Sequence, residues 1–229
     1  MPYRTLPRAR GRWGLDSGGF TELSIYGGWV TTCREYVENV RHYQSEIGSM
    51  DFAVIQDWMC EPIMMQITGL SILEHQERTI ESYLNLMERD PEIPWMPVLQ
   101  GWEQDDYQRH LEMYCDAGVD LSLLSVVGIG TVCRRQGTQE IDTIIRSVAR
   151  HGIRLHGFGV KAGGLVLSAS ILESADSAAW SYQARIRKFK MSGCHHQAKT
   201  CNNCLRWALE WRRRLLRSLA GSSVRRVKV

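Results

Sequence analysis

The sequence predicts an α/β chain built on a parallel sheet. Short apolar runs alternate with longer amphipathic segments, and the chain is 44% hydrophobic and 23% charged, enough to bury a core. The residues with chemical reach also fall just past the apolar runs. Strands are expected over residues 13–15, 52–56, 95–99, 121–127, 154–158 and 172–175, each a segment too short for a helix. Between them, apolar positions recur at helical spacing over residues 33–47, 72–88, 105–117 and 139–151. A strand, a helix and a further strand in succession imply parallel neighbours with helices covering the sheet.

Asp16, Asp57, Gln100, Gly128 to Gly130 and Asp176 follow the carboxyl ends of these strands. Both β/α barrels and open doubly wound sheets place ligands at that edge, so periodicity leaves the two architectures open. Six strands are evident where a barrel has eight, and barrels typically run to about 250 residues. One or two opening strands are therefore expected to be missing, irregular or supplied upstream. After Asp176 the β/α rhythm is expected to stop. A last helix is expected from about Leu205 to Leu219, ending before Gly221, and residues 222–229 are expected to be disordered.

The net charge of +3 hides an asymmetry. From Arg185 to Val229 there are 13 Lys or Arg against one acid, Glu210, so this end carries +12 and the rest of the chain −9. A basic end on an acidic body points to a polyanionic partner held on one side, the plainer alternative being a solvated basic helix. No run reaches the roughly 18 apolar residues of a membrane span, and Met1-Pro2-Tyr3-Arg4 lacks a signal peptide's apolar region. The expectation is a cytoplasmic chain with no membrane partner.

Seven cysteines are an odd number, and three cluster as Cys194, Cys201 and Cys204 beside His195 and His196. Cys and His at such spacing suit a closed tetrahedral zinc site better than a disulfide framework. A metal-free surface loop is the alternative. Downstream, Trp207 and Trp211 lie four apart among Arg206, Arg212, Arg213, Arg214 and Arg217. That spacing turns the aromatics inward and offers arginines to phosphates. Cys60 and Cys133 read as small buried hydrophobes.

Asp16-Ser17-Gly18-Gly19-Phe20 alone is an acid before a flexible turn. It also resembles the hallmark of the tRNA-guanine transglycosylases, with Thr21 where a Gln is usual. The segments Gln56-Asp57-Trp58-Met59-Cys60-Glu61-Pro62, Val98-Leu99-Gln100-Gly101-Trp102, Gly128-Ile129-Gly130-Thr131-Val132-Cys133-Arg134-Arg135, His156-Gly157-Phe158-Gly159-Val160-Lys161 and Ser174-Ala175-Asp176-Ser177-Ala178-Ala179-Trp180 follow in the family's order. Together they cover about Pro7 to Trp211. The set is most similar to the deazapurine DNA-modification branch, which exchanges guanine in DNA for a 7-deazaguanine base.

The resemblance implies a (β/α)8 TIM-barrel-like fold over residues 1–190 with its first strands abbreviated, a zinc-binding segment and basic helix over 191–220, and a tail over 221–229. It implies Asp176 as the nucleophile and Asp16 as the acid/base, a pair suited to an oxocarbenium-like transition state. An N-cap is the alternative role for Asp176. Ser17, Gly18, Gly19, Phe20, Asp57, Gln100, Gly128, Ile129 and Gly130 would bind the base. Asp57 would read the guanine N1–H and 2-amino group, and Gln100 would donate to O6. Trp58, Met59 and Trp102 are stacking candidates, with core packing as the alternative. The structural zinc would be held by Cys194, His196, Cys201 and Cys204, with His195 as the alternative to His196, a departure from the family's Cys-x-Cys-x-x-Cys group with a distant His. Arg134, Arg135, Arg185, Arg206 and Arg213 would meet nucleic-acid phosphates. DNA is the expected polymer, with tRNA as the alternative substrate and a non-catalytic nucleic-acid-binding subunit as the rival class. The sequence is also compatible with a homodimer.

Overall fold

The computed structural model describes residues 5–132, 139–160 and 162–220. Cys133, Arg134, Arg135, Lys161 and the tail 221–229 lie outside the described residues. The chain resolves into two compact units, Met1–Thr131 and Val132–Val229.

In the first unit, β1 (Trp13–Leu15), β2 (Met50–Val54) and β3 (Trp95–Met96) form a parallel sheet in that order. β4 (Val98–Leu99) pairs in parallel with β5 (Val127–Ile129). The helices are α1 (Gly19–Tyr26), α2 (Cys33–Ile47), α3 (Pro62–Thr68), α4 (Ile72–Arg89) and α5 (Gln104–Asp116). Three of them start where the sequence chemistry dictates. Thr32 with Glu35, Ser71 with Glu74 and Glu103 with Asp106 form reciprocal capping boxes that satisfy otherwise orphaned N–H groups. α1 starts after Gly18, which holds φ 77°, a left-handed backbone that glycine adopts without a Cβ penalty.

In the second unit, β6 (Leu155–Gly157) pairs in parallel with β7 (Leu172–Ala175). α6 (Gln139–Ala149), α7 (Ala162–Ser168), α8 (Ala179–Ile186) and α9 (Leu205–Ala220) complete it. Trp207 lies buried with Ala184, Cys201 and Cys204, and Trp180, Phe189 and Trp211 pack against this cluster. Among the described residues no helix is long and apolar enough to cross a membrane.

The mixed α/β class with parallel pairing is the one expected from the sequence. Three details differ. Residues 121–123 form a 3-10 turn, not the start of a strand, because the Asp120 carboxylate accepts from the Ser122 N–H and winds the chain there. The strand expected over 95–99 is interrupted at Pro97, which has no N–H to give to a ladder but still accepts from Gly128 N at 2.8 Å. The rhythm does not stop at Asp176 but continues into α8.

Candidate functional site

The carboxyl ends of β1, β2 and β4 bring Ser17, Asp57 and Gln100 together. Asp57 is 6% exposed and Gln100 fully buried. Ser17 Oγ donates to Asp57 Oδ1 at 3.0 Å, and Gln100 Nε2 donates to Asp57 Oδ2 at 2.6 Å. Burial, followed by the charge of Asp16, pushes the Asp57 carboxyl up to about 7. A carboxyl poised near neutrality and held by two donors can face a ligand either as an anion accepting N–H groups or as an acid giving up a proton.

The Gln100 main chain is equally fixed. Its N–H donates to His110 Nδ1 at 2.9 Å, and its carbonyl accepts from Gln76 Nε2 at 2.7 Å. Burial drives the His110 imidazole down to about 3, so the ring is neutral, and its Nδ1 also lies 3.1 Å from the Gln100 carbonyl. Thr131 Oγ1 completes the cage by donating to Gln100 Oε1 at 2.7 Å. A Cβ on Gly130 would sit 2.3 Å from Gln100 Nε2, so only glycine lets β5 pass this close. The main-chain groups here are largely committed: Gly128 N to Pro97, Gly130 N to Leu99, and the Gly130 carbonyl to Tyr107 Oη at 2.8 Å.

Sequence reasoning did not find Gln76, His110 or Thr131. Gln76 and His110 are polar residues turned to the buried side of amphipathic helices, which was the one available signal; Thr131 had none beyond its place after Gly130. Of the remaining candidates in this unit, Asp16 is exposed and Phe20 is half exposed. Trp58 is buried with Leu23 and Met64, and Met59 packs on them, which favours core packing for both. Burial raises the Cys60 thiol far above its ordinary range, in keeping with a small hydrophobe.

In the second unit Asp176 follows β7 with its side chain 56% exposed. Asp176 Oδ1 accepts from Gly159 N at 2.8 Å and lies 3.6 Å from His156 Nε2. The imidazole is oriented by Ser174 Oγ at 2.8 Å from its Nδ1. Asp176 caps no helix: α8 begins after Ala178, which gives no side-chain cap.

Cys194, His196, Cys201 and Cys204 present ligand atoms that all lie within 4.8 Å of one another. The Cys194 and Cys204 sulfurs are 3.8 Å apart, and His196 Nε2 is 3.3 Å from the Cys201 sulfur. A tetrahedral ion with metal–sulfur bonds near 2.3 Å sets its sulfurs about 3.8 Å apart. His196 Nδ1 lies 3.2 Å from the Ala198 carbonyl, which holds the ring with Nε2 toward the cluster. The four residues can hold a metal ion, and their closed donor set suits a structural one.

The basic residues are unevenly available. Arg213 makes two bonds to Glu210 at 2.7 Å, and Arg214 a third, holding the Glu210 carboxyl down at about 2. Arg206 donates to the Gly193 carbonyl, bracing the cysteine loop, and Arg185 lies 5.7 Å over the Tyr182 ring.

Parallel β/α units, a buried polar cluster at the strand ends and a Cys/His cluster near the C-terminus define a class of α/β protein with a candidate metal site. The sequence model described as "DpdA: DeoxyPurine in DNA protein A" matches residues 2–226, and the chain belongs to that family. Membership points to a transglycosylase-type enzyme of deazapurine DNA modification, with DNA as its substrate. No curated protein matches the chain.

Proposed function

We propose that the protein exchanges guanine in DNA for a 7-deazaguanine base, through a glycosyl-enzyme on Asp176. What supports the reading is Asp57, a buried carboxyl held by Ser17 and Gln100 in a chain of the DpdA family. Asp57 accepts from the guanine N1–H and 2-amino group, and Gln100 uses its second amide hydrogen on O6. Ser17, Gly18, Gly19 and Phe20 shape one wall of the pocket, and Gly128, Ile129 and Gly130 the other.

The C1′–N9 bond breaks as an Asp176 oxygen bonds to C1′, and the departing guanine takes a proton from Asp16. The incoming base then returns its N9 proton to Asp16 and displaces the carboxylate. Two displacements retain the configuration at C1′. The target base must leave the stack or be met unpaired. A (β/α)8-type barrel over residues 1–190 is the architecture this reading carries, its support being the parallel strand pairs.

The ion at Cys194, His196, Cys201 and Cys204 is proposed to be zinc, which stabilises the loop and leaves no open position for catalysis. Arg185, Arg206 and Arg213, with Arg134 and Arg135, are proposed to meet phosphates. Incubation with labelled guanine and duplex DNA, single-stranded DNA or tRNA tests the whole. Label entering DNA is expected. Label in tRNA alone would remove the DNA assignment, and label in neither would leave a non-catalytic binding protein.

A further inference from the structure

We propose that Thr131 is a positioning residue that sets which purine the pocket takes, by locking the Gln100 amide so that it gives a hydrogen bond to the base's 6-substituent and cannot receive one. The inference rests on the proposed reading of Asp57 and Gln100 as the base pocket.

A threonine hydroxyl has one proton and two acceptor positions. At Thr131 one acceptor position is taken by the Cys60 N–H, at 3.1 Å. The proton goes to Gln100 Oε1 at 2.7 Å, since the other acceptor in reach, Glu61 Oε2, is 3.5 Å away. Gln100 Oε1 is thereby fixed toward Thr131, and Nε2 must face Asp57, where it lies 2.6 Å from Oδ2. With one amide hydrogen on Asp57, only the second remains for a ligand. The pocket can then satisfy an oxo group at purine C6 and leaves an amino group there facing a donor, an arrangement that sites built on hydrogen bonds reject strongly.

The backbone supports the assignment. Thr131 holds φ 58°, a left-handed conformation that is an outlier for a β-branched residue. Such a conformation persists where the surroundings over-determine it, and here two hydroxyl partners, Gln100 and the Cys60 N–H, and 4% exposure do so. No other described residue combines a β-branched side chain with a positive φ.

The test compares binding of guanine and 2,6-diaminopurine by wild type, Thr131→Val and Thr131→Ser. It is run at about pH 6, below the Asp57 value of about 7, where the protonated carboxyl does not by itself fix which end of the Gln100 amide faces it and gives its proton up as guanine binds. Wild type is expected to prefer guanine by about tenfold or more. In Thr131→Val only the Asp57 side still holds the Gln100 amide; an amide that turns there sets Oε1 against the guanine O6, and the preference should shrink by about tenfold through weaker guanine binding, with Thr131→Ser restoring it. Thr131→Ala, which crowds a left-handed backbone less, carries the same comparison if the valine variant does not fold. An unchanged preference in a folded variant that lacks the hydroxyl overturns the lock. Failure of wild type to bind guanine would overturn the pocket reading instead, and the lock with it.

Discussion

Replacing Asp57 with Asn separates recognition from folding. The carboxylate accepts from Ser17 at 3.0 Å and from Gln100 at 2.6 Å. An Asn can keep its oxygen toward Gln100 and turn its amide to Ser17, whose hydroxyl reverses to accept, so the resting network survives nearly whole. Guanine presents two donors, and the amide meets them with one acceptor and one donor. The expected loss is roughly 1–3 kcal/mol, or about 5- to 150-fold in guanine affinity by titration calorimetry.

The same substitution should change how stability depends on pH. Burial, then the Asp16 charge, raises the folded-state carboxyl from 3.8 to about 7. Below about pH 4 both folded and unfolded chains hold the proton, and the stabilisation from this group is complete. Between about pH 4 and pH 7 the unfolded chain releases the proton while the folded one keeps it, so stability falls as pH rises. Asp57→Asn removes that loss, so its melting temperature should gain on wild type across this window and level off above it. Guanine affinity within twofold of wild type would take Asp57 out of the pocket. A melting difference constant from about pH 4 to pH 8 would refute the buried-carboxyl argument.

Three further outcomes are expected. Asp176→Ala should abolish base exchange and covalent trapping of DNA with a near-normal melting transition, whereas Asp16→Ala should lose turnover and keep DNA binding; incorporation of labelled guanine by Asp176→Ala would disprove the nucleophile assignment. Protein purified without chelator should contain about one equivalent of zinc, and Cys201→Ser should both lose the ion and lower the melting temperature; less than half an equivalent by elemental analysis would count against the metal. Arg185→Ala should weaken DNA binding across sequences and flatten its salt dependence by about one ion, so an unchanged slope would remove that phosphate contact.

The sequence by itself determined the alternation of strand and helix, because periods of 2 and 3.6 are local properties of the chain. α2 carries its capping box and apolar stripe within its own residues, and it begins and ends where its pattern does. Cys194, His196, Cys201 and Cys204 were legible for the same reason, since short spacing limits how far their ligand atoms can separate. Helices α1, α3, α7 and α8, of seven or eight residues, span about two turns and show too little periodicity to be read. Only the tertiary structure decided what surrounds Gln100. Asp57 stands out at the end of its strand, but His110, Gln76 and Thr131 come from three further segments, and each looks unremarkable beside its sequence neighbours. A burial that leaves every polar atom of Gln100 a partner, and one orientation for its amide, is a property of the packed strand ends, where residues 24 to 43 positions away supply the bonds to its carbonyl and side chain.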